Sequence, residues 1–94
     1  MEQGEEFLEV LKEYADFLGS SKAPGAGHWF QMLREASVWS DSRTIANKVL
    51  SFYGGMGSIN DMVFPFGSAE RDRDETLRER LYVLAKSVSR GNEA

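Results

Sequence analysis

Six carboxylates crowd the start of this 94-residue chain: Glu2, Glu5, Glu6, Glu9, Glu13 and Asp16, with Lys12 as the single base among residues 1–19. The chain carries a net charge of −4, yet residues 1–19 alone carry −5 and the remainder sums to +1. Acids at a helix start complement the backbone dipole, but that benefit fades after the first turn. Glu9, Glu13 and Asp16 lie beyond it. The like-charged pairs Glu5–Glu9 and Glu9–Glu13 cost about 0.2–0.5 kcal/mol each in a helix. A stripe that opposes its own helix is suited to steering a basic partner, which raises association rates at low salt. Glu6, Glu9, Glu13 and Asp16 are the candidate contact residues; a solubilising outer face is the structural alternative.

A second constellation is Gly54-Gly55-Met56-Gly57-Ser58-Ile59-Asn60-Asp61. Three glycines in four residues imply a sharp turn or a close backbone approach. A phosphate cradle needs a strand before the loop, a helix after it and commonly a lysine. Here a helical pattern precedes the loop, no lysine follows, and Asn60 stands where GxGxxG has its third glycine. Calcium needs more than the single carboxylate of Asp61. The residues fit a helix C-cap followed by a Ser58-x-x-Asp61 turn in which side chains satisfy backbone amides. A rigid loop touching a protein partner is the functional alternative, with Gly54, Gly55, Met56, Gly57, Ser58, Asn60 and Asp61 as its candidates.

Other chemistry is sparse. The chain has no cysteine and one histidine, which excludes thiolate metal sites, a thiol nucleophile and a multi-histidine centre within one chain. His28 has no neighbouring nucleophile elbow or triad and reads as structural. Arg71, Arg73, Arg78 and Arg80 alternate with Glu70, Asp72, Asp74, Glu75 and Glu79. That alternation predicts a solvated face with local pairs such as Asp74–Arg78. The acidic balance opposes non-specific binding to nucleic acid. The longest apolar run, Met62 to Phe66, is far short of the ~20 residues that span a bilayer. The acidic start does not fit a secretory signal. A cytoplasmic protein with no cofactor and no enzymatic activity is the expectation.

These residues need elements to hold them. At 100° per residue, Phe7, Leu8, Val10, Leu11, Tyr14, Ala15, Phe17 and Leu18 occupy an arc of about 20–200°, and the acids fall outside it. This predicts a helix over 5–18, stopped by a left-handed Gly19. A loop over 20–27 leads to a helix over 28–38, with Trp29, Phe30, Leu33 and Ala36 on one side. Ser40, Asp41 or Ser42 can cap a third helix over 42–53, closed by Gly54-Gly55. The stretch 56–67 is irregular; Met56, Ile59, Met62, Val63, Phe64 and Phe66 either plug the core or form an adaptable contact surface. Ser68 can cap a last helix to about Ser89, striped by Leu77, Leu81, Leu84 and Val88, with a frayed tail over 90–94. The expected fold is all-α: one compact domain, 1–94, of about four helices with one irregular Gly/Pro-containing loop between helices three and four.

The segment Phe52-Tyr53-Gly54-Gly55-Met56-Gly57-Ser58-Ile59-Asn60-Asp61-Met62-Val63 resembles a family of small uncharacterised bacterial proteins. That family is marked by an aromatic-Gly-Gly-Met-Gly-Ser-x-Asn-Asp segment, placed after one helix and before a charged helix with a Leu-x-x-x-Leu-Tyr pattern. Arg80-Leu81-Tyr82 and Leu84 are similar to the latter. The resemblance implies no activity. By analogy, small acidic helical proteins of this kind look like toxin-immunity partners, which implies a non-enzymatic protein that neutralises a basic toxin domain by direct binding. The alternative is an accessory subunit that self-associates through the Met/Phe-rich loop, with no toxin-related role.

Overall fold

The computed structural model describes residues 2–39, 41–54, 57–65 and 67–91. Ser40, Gly55, Met56, Phe66 and the last three residues of the expected tail lie outside them. Four helices follow one another: α1 (Glu2–Ser20), α2 (Ala26–Ala36), α3 (Ser42–Leu50) and α4 (Ala69–Ser89), with a 3-10 turn at Ile59–Asp61. The all-α expectation holds.

The helix ends show what local chemistry dictates. Gly19 is not a left-handed stop; it lies inside α1. Its lack of a side chain serves packing instead, because a Cβ there would stand 2.9 Å from the Phe30 ring. The left-handed glycine of this connection is Gly25, with φ at +88°, and it launches α2 two residues earlier than the periodicity suggests. Asp41 caps α3 by accepting from the Thr44 amide at 3.0 Å and the Thr44 hydroxyl at 2.9 Å. Those bonds, the hydroxyl's first, hold its carboxyl below the ordinary range. After Leu50 the chain tightens into turns, with the Phe52 amide on the Val49 carbonyl and Tyr53 on Leu50. The α-helix therefore ends three residues before the predicted Tyr53, and Gly54 is not in the left-handed region. Ser68 caps α4, its hydroxyl accepting from the Arg71 amide at 3.0 Å.

α4 packs between α1 and α3, while α2 closes the opposite side against α1 and, less extensively, α3. The result measures 39 × 23 × 20 Å. Phe7, Leu11, Tyr14, Leu18, Leu33, Val49, Ile59, Leu81 and Val88 are fully buried in its core. Burying a large apolar side chain contributes about 1.5–3 kcal/mol relative to exposure. Ile59 and Phe64 belong to this core too, and Phe64 stacks on Phe17 at 6.0 Å. The irregular segment thus plugs the helix array. Of its described apolar residues only Val63 is well exposed.

Candidate functional site

The Gly54–Asp61 segment is built from its backbone outward. The Ile59 amide donates to the Phe52 carbonyl at 2.8 Å, folding the chain back onto the end of α3. Gly57 takes a φ of +75°, which side chains rarely adopt. Its amide donates to the Asp61 carboxylate at 2.5 Å. The Ser58 hydroxyl accepts from the Asn60 amide, and the Asn60 side chain donates to the Tyr53 carbonyl at 3.0 Å. Ser58, Asn60 and Asp61 therefore brace the loop. Gly55 and Met56 lie outside the described residues.

One wall of a groove of about 660 Å³ comes from Tyr53 and from Gly54 and Asn60 of this segment; the other comes from Arg78, Tyr82 and Lys86 on α4. Tyr53 and Tyr82 face one another with ring centroids 5.0 Å apart. The Lys86 ammonium stands 5.4 Å over the Tyr82 ring. Two residues of the predicted loop, Gly54 and Asn60, thus join a second surface that sequence reasoning did not single out. The signal was present: Arg78, Tyr82 and Lys86 are spaced i, i+4, i+8 and share a helix face.

Below the groove lies a buried polar cluster. Asp74 is 1% exposed, although the alternating charges around it predicted a solvated face. Its carboxylate accepts from the Tyr14 hydroxyl at 2.6 Å and from Arg78 Nη1 at 2.9 Å. The expected Asp74–Arg78 pair exists, but in the interior. The reason is registry: Asp74 falls three and seven residues before Leu77 and Leu81, on the apolar stripe itself. The Tyr53 hydroxyl donates to the Arg78 carbonyl at 2.8 Å, so the cluster ties α1 and the end of α3 to α4. Burial pushes the Asp74 carboxyl above its ordinary range, opposed by the Tyr14 hydrogen bond and the Arg78 charge. Burial likewise raises the Tyr14 and Tyr53 hydroxyls.

The acidic stripe is partly spoken for. Arg80 Nη2 meets the Glu6 carboxylate at 2.6 Å, and Arg73 Nη2 meets Glu13 at the same distance. Lys12 pairs with Asp16 at 3.3 Å. Glu5 and Glu9 enter none of these three pairs and are exposed, on either side of Leu8, which is 40% exposed. Of the four predicted contact residues, Glu9 alone stands outside these pairs. The stripe and the loop do not converge: the stripe borders the α1 side of α4, and the loop borders its α3 side.

His28 is exposed and sits edge-on to Trp29 at 4.8 Å, with Trp29 in turn 5.3 Å from Phe52. Among the described residues, no group of three or more His, Cys, Asp or Glu is placed to hold a metal ion, and no helix is long and apolar enough to cross a membrane.

A family model described as a domain of unknown function (DUF6966) matches residues 22–70, just over half of the chain and inclusive of the Gly54–Asp61 loop. No curated protein and no solved structure matches.

Proposed function

The chain belongs to the DUF6966 family, and on that premise we propose that it is a non-enzymatic protein-binding module of the immunity or antitoxin kind. It neutralises a cognate toxin by covering a basic surface. One observation carries the reading. Glu5 and Glu9 project beside a partly exposed Leu8, outside the ion pairs that occupy Glu6, Glu13 and Asp16. Two open carboxylates flanking an apolar side chain offer a basic protein surface both steering and a small desolvated anchor. Glu6 and Glu13 contribute from the rim, because their arginine pairs are about half exposed and exchange partners at little cost.

Self-association through the Met/Phe loop finds less support, since Ile59 and Phe64 face the core. The test is co-expression with the product of the adjacent open reading frame. The proposal expects a toxic neighbour whose toxicity this chain relieves, and copurification of the two. A harmless neighbour that does not copurify contradicts it.

A further inference from the structure

Two large apolar side chains stand open to solvent in the turn that leaves α2: Val38 is 80% exposed and Trp39 54%. Phe30 packs where Gly19 leaves room, and Leu8 shares a groove with Ser37, so α2 runs antiparallel to α1. That register sets Trp39 level with the α1 turn that carries Leu8 and Glu9. The groove between the two helices holds about 500 Å³, with Leu8, Leu11, Ala15 and Leu33 in its lining. A second hollow of about 430 Å³, on α2 alone, reaches Val38 and shares Phe30 and Arg34 with the first. Leu8, Phe30 and Val38 thus form one apolar face across both helices. Glu5 and Glu9 lie outside the ion pairs among the described residues and stand one turn apart, about 6 Å along the axis. Lys12 and Asp16 satisfy one another at 3.3 Å. The Arg34 guanidinium lies 5.5 Å over the Phe30 ring, and exposed Glu35 next to it in sequence offsets its charge. The balance around the face is −2, placed on its α1 lip.

We propose that this face receives a basic amphipathic helix of the partner protein. The inference rests on the reading of α1 as a partner surface and names the element that docks there. The helix lays its apolar stripe along the α1–α2 groove, Trp39 supplies the large anchor, and lysines or arginines on one flank meet Glu5 and Glu9. Charge complementarity commits the occupant to a basic one. Because the Arg34–Glu35 side carries no net charge, the partner's basic residues line one flank and not both. A groove between helices accepts a further helix through side chains at i, i+3, i+4 and i+7. Tryptophan is among the side chains that most often anchor protein contacts, whereas rim carboxylates act mainly on approach. Leu8 belongs both to the groove and to the α1 contact, so the two are continuous.

The test titrates the full chain, at low ionic strength, with a capped helical peptide bearing leucines at i, i+3 and i+7 and lysines along one flank. A second titration uses the same peptide with glutamates for the lysines. ¹H–¹⁵N correlation spectra follow the backbone amides and the Trp39 indole N–H. The proposal expects saturable shifts at Leu8, Arg34, Ser37 and the Trp39 indole with the lysine peptide, and at least tenfold weaker binding of the glutamate peptide. Trp39→Ala alters an exposed side chain and should weaken the lysine peptide at least tenfold. Glu5→Lys with Glu9→Lys should do the same and shift the preference toward the glutamate peptide. Lys86→Glu, on the α3 side of α4, should leave the titration unchanged. Equal affinity for the two peptides, no shifts in the groove, or an unchanged affinity in Trp39→Ala overturns the proposal. So do groove shifts that grow with protein concentration in the absence of peptide, which would make a second copy the occupant. The titration uses no toxin, which separates the two readings. Relief of toxicity without groove shifts contradicts the docked helix alone, and groove binding beside a harmless neighbour contradicts the immunity reading alone.

Discussion

The two flanks of α4 use similar residues in different surroundings. Toward α1, Arg73 and Arg80 each cover a carboxylate of the acidic stripe, Glu13 and Glu6, at 2.6 Å and in about half-exposed positions. Toward α3, Arg78 and Lys86 border an open groove floored by an ion pair that is out of contact with water on its acidic side. Both flanks pair their arginines, and what differs is burial: the pairs toward α1 are about half exposed, whereas the Arg78 side chain is 16% exposed and that of its partner Asp74 is 2% exposed. A net charge counted along the chain cannot separate the two, because the deciding quantity is which carboxylate faces which arginine. The −5 of residues 1–19 overstates what α1 offers a partner, because Glu6 and Glu13 are paired with arginines of α4.

The largest effect should come from the cluster between the flanks. Asp74→Ala leaves Arg78 and the Tyr14 hydroxyl without their shared partner, and breaking a buried pair costs about 3–5 kcal/mol. Denaturant unfolding should show that loss; a change below 1 kcal/mol would show that the cluster does not hold α1 to α4. Tyr14→Phe removes one bond to the same carboxylate and should cost about 1.5–3 kcal/mol by the same measurement.

The outer flank should behave differently. Arg73→Ala and Arg80→Ala each remove an exposed pair and should cost about 1 kcal/mol or less. They also uncover Glu13 and Glu6, so binding of a basic partner at low salt should accelerate. An equal stability cost at Arg80 and Asp74 would erase the distinction between the flanks.

The smallest effect concerns pH. The Asp74 carboxyl is raised above its ordinary 3.8, chiefly by burial. The folded state therefore holds this proton more tightly than the unfolded chain does. That contribution is fully present below 3.8 and is lost as pH rises through the folded value. Asparagine cannot titrate, so the stability cost of Asp74→Asn should be larger at pH 4 than at pH 7. A cost that instead grows between pH 4 and 7 would reverse the assigned direction.

Much of the fold was legible because amphipathic spacing is a local property. Phe7, Leu11, Tyr14 and Leu18 are buried as their period demands, and Asp41 and Ser68 cap the helices that follow them. The illegible parts depend on contacts distant in sequence. Gly19 reads as a stop until Phe30 is seen against it. Tyr14 and Asp74 stand 60 residues apart, and nothing local marks an aspartate as the interior member of a charged run except its registry with Leu77 and Leu81. Glu6–Arg80 is separated by 74 residues, which is why the stripe read as open. The groove needed the fold to bring Tyr53 to Tyr82, although the Arg78–Tyr82–Lys86 spacing is visible in the sequence.

The proposed function rests on Glu5 and Glu9, which lie outside the α1 ion pairs among the described residues, guiding a basic protein partner. Stopped-flow association with the product of the adjacent open reading frame, across a range of ionic strength, tests it most directly. The account predicts that Glu5→Lys with Glu9→Lys slows association at least tenfold at low salt and that the difference vanishes as salt screens the charges. An association rate unchanged by the double reversal at low salt would contradict it.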